Sequence, residues 1–454
     1  MIQLAKQKPL SAHTPGHKNG LYLPTILQEL WGQDFAQYDF TEIGDLDNLH
    51  YPEGCIAQSQ AQVAQTWNAK HSYYLVNGTT VGLQAAIMVC CYHQLVFVPR
   101  HVHRSIYHSL ILAQAKPIYL PVSIDEETGL PLGISPETLE KYIHAHPQCK
   151  NLIMVNPTYQ GITWQNIACV QLAKSSGLTV IVDEAHGSHL HFNDHLPASL
   201  LDMGADIVVQ SWHKTLPVLT QGSVLHTGHG YSGQPLDKFL SLFQTTSPSY
   251  LIMASLEAGG VYMGEKGAKD IALSLEKIRT FAQWIKRLET IDWPYNAQWH
   301  QDCFKCYLHS NRLSGAEIAS WLQNEYQIYA EMSDSNGCLL LLPLVLTDQW
   351  LLLLMNALKD IDQRSLSLPI RQNTKAFYSQ TIPKQALALE SAFMAECQFI
   401  PWSQAEGKAA GQFITKYPPG IPLIVPGEII DQSSIELWQL CGGSLNDTLC
   451  ILKE

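Results

Sequence analysis

LTVIVDEAHGSH, residues 178–189, decides the fold, because a five-residue β-rich run stops abruptly at two acids and a histidine. A run this short, apolar at nearly every position, reads as a strand covered on both faces, with Asp183 directly at its carboxyl end. Working outward, the same pattern recurs at YYLV (73–76), LVFV (95–98), NLIMV (151–155), DIVV (206–209) and SVLH (223–226), with helical-period stretches between. This alternation predicts an α/β fold in which a mainly parallel sheet carries helices on both faces. Ligands of such sheets gather beyond the carboxyl ends of the strands. Those positions hold Asn77-Gly78-Thr79-Thr80, Arg100-His101-Val102-His103, Asn156-Pro157, Asp183-Glu184-Ala185-His186 and Gln210-Ser211-Trp212-His213-Lys214.

The 454 residues divide by pattern into an N-terminal arm (1–54), a large domain (55–290) and a smaller C-terminal α/β domain (291–454). The arm is rich in turn residues and acids. In the stretch Cys55 to Lys70, Ile56, Val63 and Trp67 share one face at helical spacing and predict a packing helix. The smaller domain rests on the strand-like DCFKCYLH at 302–309 and on a strand plus helix at 338–358. That last stretch is the most apolar of the chain, but Pro343 and Thr347-Asp348-Gln349 interrupt it too soon for a membrane span. The net charge of −12, with no Lys/Arg run, excludes nucleic acid and anionic membranes as partners and suits a cationic small substrate. Eleven irregularly spaced cysteines and an N-terminus without a secretory apolar stretch predict reduced thiols in the cytoplasm.

The loop residues suggest chemistry in combination more than singly. Gly78-Thr79-Thr80 before the helical VGLQAAIMVC fits an anion at a helix N-terminus, and equally a plain turn with a capping hydroxyl. In QSWHK, Ser211 and His213 can donate to a phosphate while Lys214 offers the primary amine that an aldehyde requires. Its plain alternative is a surface lysine after a strand. Asp183 suits the counter-charge of a cationic ring nitrogen, which would turn that ring into an electron sink. His103 can stack on a planar ring or stand as an ordinary loop histidine. The cluster His186, His189, His191 and His195 has no helical zinc spacing, and Cys303 with Cys306 lacks a second pair, so no metal site is expected.

Taken together, TPGHKNG (14–20), DFTEIGDLDNLHYPEG (39–54), NGTTVG (77–82), PRHVHRS (99–105), VNPTYQG (155–161), VDEAHGSH (182–189), QSWHKTLPVLTQGSVLH (210–226), TTSPSYLIMASLE (245–257) and YPPGIPLIVPGE (417–428) resemble the group I ornithine/lysine/arginine decarboxylases. The resemblance implies the aspartate-aminotransferase-like fold type I and a pyridoxal 5'-phosphate cofactor. It implies Lys214 as the Schiff-base lysine, Asp183 at the pyridine nitrogen and His103 stacked on the ring. It further implies Gly78, Thr79, Thr80, Ser211 and His213 at the phosphate, and His186 near the ring oxygen or the substrate carboxylate. Thr246 and Ser247 would approach a neighbouring subunit's phosphate, so a homodimer or higher even oligomer is expected.

The implied reaction is decarboxylation of arginine, lysine or ornithine to a polyamine-precursor amine. Glu42, Asp45, Asp47 and Glu428 are offered as partners for the distal cation, with a solvated acidic loop as the plain alternative. Transamination on the same fold, or a catalytically silent relative that binds or regulates, are the competing functions. The chain begins close to TPGHKNG, which leads one to expect no N-terminal wing and no acid-stress decamer. Trp212 stands where relatives often carry a small residue and Leu83 where Asn is usual, and either is expected to reshape the pocket.

Overall fold

The computed structural model describes the chain except residues 8, 33, 295–296, 372–381, 416–419 and 454. The start of the 417–428 family string therefore lies outside the described residues. Seven strands form the central sheet: β1 (His71–Leu75), β2 (Leu95–Pro99), β3 (Lys116–Leu120), β4 (Asn151–Val155), β5 (Thr179–Asp183), β6 (Ile207–Gln210) and β7 (Ser223–Thr227). Their order is β1-β7-β6-β5-β4-β2-β3, and only β7 runs against the others. The loops after β1, β2, β4, β5 and β6 consequently meet at one edge of the sheet.

Both faces of the sheet are buried, which explains the near-continuous apolar strands. Leu152, Met154, Val180, Val182 and Val208 point into one core with Trp67, Phe97 and Trp212. The intervening Ile153, Ile181, Ile207 and Val209 point into the other with Val96, Val98 and Leu225. Helix α1 (Cys55–Thr66) packs Ile56 and Val63 into the first core. Helix α2 (Thr79–Cys91) lies on the second, and Gly82 lets it approach closely: a Cβ there would stand 2.6 Å from both Leu75 and Val209 side chains. Strand β3, absent from the sequence reading, is a half-buried edge strand whose Lys116-Pro117 start obscures the pattern, and an edge tolerates such a proline.

A four-stranded antiparallel sheet (Ile291–Asp292, Lys305–Ser310, Gly337–Leu341, Met332–Ser333) follows, with helices Gly315–Tyr326 and Asp348–Ser365. Its Cys306, Leu308, Cys338 and Leu340 join the first core of the large sheet. From Cys397 onward the chain packs a separate small core around Trp402, Ile424 and Ile451. Among the described residues no helix is long and apolar enough to cross a membrane.

Candidate active site

The loops at the shared strand edge enclose a cleft of about 320 Å³. Gly78, Thr79, Thr80, His103, Asp183, His186, Ser211, His213 and Lys214 all line it. Gly78 sits at φ +79°, a conformation that favours glycine, with open space where a Cβ would be, and no side chain caps the first turn of α2. That helix end, with its N–H groups and its positive pole, opens on the cleft. Ser223 Oγ lies 3.2 Å from Thr79 Oγ1, and Ser211 Oγ is a second hydroxyl partner of Thr79, so three hydroxyls converge beside the helix end. His213 holds its backbone and ring against the Gly222 carbonyl, at 3.1 Å each.

Asp183 ends β5 nearly buried, and one carboxylate oxygen accepts the Ala185 N–H at 3.1 Å. Burial pushes its carboxyl up, against the pull of the Lys214 cation. Its neighbour Glu184 turns the other way and ties the strand ends together. It accepts from Asn156 Nδ2 (2.8 Å), Leu200 N (2.9 Å), Ser199 Oγ (2.7 Å) and Gln210 Nε2 (2.8 Å). Burial drives the Glu184 carboxyl up to about 7, while the four hydrogen bonds pull the other way and favour the ionised form.

Burial lowers Lys214 from the ordinary lysine range, while Asp183 and Glu331 oppose the shift. His186 Nε2 lies 3.1 Å from Lys214 Nζ. Burial, then Lys214, Lys305, His103 and His213, push His186 well below its usual value and leave a neutral imidazole. His103 is brought down to about 4 by burial and nearby cations; its Nδ1 accepts the Ser105 N–H at 3.2 Å and caps the helix Arg104–Leu112.

Other expected site residues lie elsewhere. Glu428 is fully buried and doubly bonded to Arg100: Nε at 3.0 Å and Nη2 at 2.8 Å, with the Val425 N–H at 2.8 Å. Its oxygens are committed, so the expectation that it meets a substrate cation is corrected. Asp47 is likewise committed. It accepts backbone N–H groups of Asn48, Glu53, Gly54, Ile56 and Ala57 between 2.7 and 3.2 Å, fastening the arm to the start of α1. Partial burial pushes its carboxyl up, and these donors together hold it below the usual range. Glu42 and Asp45 are exposed and do not line the cleft, nor do the exposed Thr246 and Ser247.

The four histidines of the 186–195 segment disperse. His189 faces Asp302 at 3.2 Å, His191 pairs with Asp202 at 2.9 Å, and His195 is exposed. Trp212 turns its indole away from the cleft, stacked on Trp67 at 4.3 Å and donating to Gln210 at 3.1 Å, whereas Leu83 does line the cleft.

Two charged residues at the site, Glu331 and Lys305, escaped the sequence reading, and His101, read only as one of the strand-end positions, lines the cleft. His101 is buried with neither ring nitrogen bonded. Glu331 accepts from the Tyr159 hydroxyl at 2.5 Å. Lys305, 1% exposed, stands behind His186 and borders a second, more apolar cavity of about 590 Å³ that also reaches Lys214. The one available signal for Lys305 was a charge inside an otherwise apolar strand, since DCFKCYLH reads as core.

Residues 1–306 match the family described as Orn/Lys/Arg decarboxylase, major domain, and residues 371–440 match its C-terminal domain. The chain belongs to the Orn/Lys/Arg decarboxylase family. Within that family it is 33% identical to an arginine decarboxylase of Halalkalibacterium halodurans, over 96% of this chain and 91% of that protein. It is also 33% identical to an arginine decarboxylase of Bacillus subtilis, over 95% and 90%. The solved constitutive lysine decarboxylase of E. coli superposes with a TM-score of 0.84 at 20% identity, covering all of this chain and 81% of that one, so the fold is shared. The donor set of this family member suits a phosphorylated aldehyde with a basic ring nitrogen. An uncapped helix end with hydroxyls suits the phosphate, a buried carboxylate the nitrogen, and a half-buried amine the aldehyde.

Proposed function

We propose that the chain decarboxylates L-arginine to agmatine with pyridoxal phosphate held in the 320 Å³ cleft. The observation that carries this reading is the placing of half-buried Lys214 and buried Asp183 on one cleft floored by an uncapped helix end. Gly78, Thr79, Thr80, Ser211 and His213 would hold the phosphate, Asp183 the ring nitrogen, and His103 one face of the ring. When bound, the cofactor supplies the electron sink that accepts the pair left by departing carbon dioxide.

The protein's own part is to orient and to manage protons. Lys214 supplies the amine that the substrate's amino group displaces and that can return a proton to the α-carbon. His186 presents a neutral imidazole between the reacting amine and the cleft wall. Apolar Leu83 and Ile421 border the cleft and limit water near it.

Arginine is favoured because relatives at one-third identity carry that name, while the solved structure at 20% identity is a lysine decarboxylase. Lysine is the second reading. Purified protein loaded with pyridoxal phosphate is expected to convert L-arginine faster than L-lysine or L-ornithine, with agmatine identified by mass. Cadaverine as main product would shift the assignment to lysine, keto-acid products would favour transamination, and no product with any of the three would favour a silent relative.

A homodimer completes the proposal. Leu10, Leu21, Tyr22, Ile26, Leu30 and Trp31 of the arm are more than half exposed, more apolar surface than a lone arm should carry. Thr246 and Ser247 are exposed beyond the cleft, available to a partner's site. Light scattering is expected to return about twice the 50.7 kDa chain mass. We place the reaction in the cytoplasm, where the eleven free thiols persist.

A further inference from the structure

Lys305 makes contacts that the reading above does not use. It opens the strand Lys305–Ser310 and points its amine at the back of His186. Nζ donates to the Tyr159 carbonyl at 3.0 Å, lies 5.3 Å over the Tyr159 ring, and sits 2.8 Å from His186 Nδ1. On the other side of the same imidazole, Nε2 is 3.1 Å from Lys214 Nζ. Two lysine amines thus share one neutral histidine.

A neutral imidazole has one N–H and one lone pair, so the two contacts cannot have the same polarity. If Lys305 donates to Nδ1, the hydrogen is on Nε2 and must meet a lone pair on Lys214, which is then a free amine. If Nδ1 carries the hydrogen, Lys305 must be neutral and Lys214 must donate. Geometry favours the first arrangement. A charged donor makes bonds near 2.7–2.9 Å, and the Lys305 contact is the shorter of the two. The Tyr159 carbonyl and ring face also suit a cation at Lys305, as does nearby Asp302. Asp183 and Glu331 draw Lys214 toward its ammonium form, and His103 and His213 also face the pair. Cofactor binding would commit the Asp183 carboxylate to the ring nitrogen and weaken that pull.

We propose that Lys305 is a positioning residue: by donating to His186 Nδ1 it holds the hydrogen on Nε2, and that N–H, turned to Lys214, keeps a lone pair on the amine that captures the cofactor. The inference rests on Lys214 being that amine. It also accounts for a cost, because burial brings Lys305 down to about 7 and a cation kept there must be stabilised by its partners.

The tautomer can be read in the wild-type protein without cofactor, by long-range proton–nitrogen correlation on 15N-histidine, with His186 assigned through His186→Gln. The expected spectrum has Nε2 protonated and Nδ1 bare, and Lys305→Met is expected to lose that preference. Capture of added pyridoxal phosphate near neutral pH, followed by absorbance, is expected to slow about tenfold in Lys305→Met, as for a one-unit change in the amine's ionisation. Lys305→Arg, which keeps the donor, is expected to stay within about threefold of wild type by the same measure. A wild-type His186 protonated on Nδ1, a tautomer unchanged in Lys305→Met, or equal losses in the Met and Arg variants would overturn the proposal. If the wild type never captures the aldehyde at Lys214, the assignment of the amine itself fails, whatever the tautomer.

Discussion

Lys214→Ala is expected to cut carbon dioxide release by roughly four orders of magnitude or more while leaving the fold intact. The loss should be this large because among the described residues no second primary amine occupies the same place: Lys305, the nearest other lysine described there, stands behind His186. Lys214→Arg should fail as well, since a guanidinium stays protonated and cannot condense with an aldehyde. The fold should survive because Lys214 is a half-buried amine held below its ordinary ionisation range, so removing it relieves desolvation, and Asp183, which loses a neighbouring cation, has a carboxyl already pushed up by burial and can take a proton. Single-turnover carbon dioxide release, read beside the thermal midpoint and the visible absorbance of the loaded protein, checks all three. Activity near wild type in the alanine variant would refute the site.

The second large effect is expected at Glu428. Glu428→Gln should cost about 3–5 kcal/mol of stability, because it leaves the buried Arg100 guanidinium facing an amide instead of a carboxylate. Arg100 also donates to the Pro422 and Leu423 carbonyls and to the Tyr107 hydroxyl, so it pins the segment before Glu428 onto the end of β2. The double change Arg100→Met with Glu428→Leu should recover much of the loss, since neither charge is then stranded. Urea titration measures both. Selectivity among arginine, lysine and ornithine should be unaltered in Glu428→Gln under conditions where it is folded; a change confined to selectivity would restore the substrate-binding role.

Strands with both faces buried announced themselves in sequence, since Leu152 through Val155 and Val180 through Val182 are apolar whichever face they take. Asp183 and Lys214 were legible for a related reason: each sits where an apolar run stops, and the parallel sheet carries those stops to one edge. Glu428 and Asp47 were misplaced because a carboxylate looks alike in sequence whether it faces a solute or a buried partner. Arg100 lies 328 positions before Glu428 along the chain, and no local pattern joins them. Lys305 opens one strand of the second sheet and Glu331 directly precedes another, and the approach of that sheet to the cleft is a matter of packing that periodicity does not record. The indole of Trp212 shows the same limit, since its position two residues before Lys214 says nothing of which side of the backbone it takes.

That indole offers a practical return. Trp212 lies flat against Trp67, sealed from water and next but one to the residue that would carry a chromophore absorbing in the near ultraviolet and violet. Light emitted by the pair would overlap that absorption, so a protein loaded at Lys214 would carry its own optical gauge of how full its reaction chamber is, readable in a cuvette without any added dye.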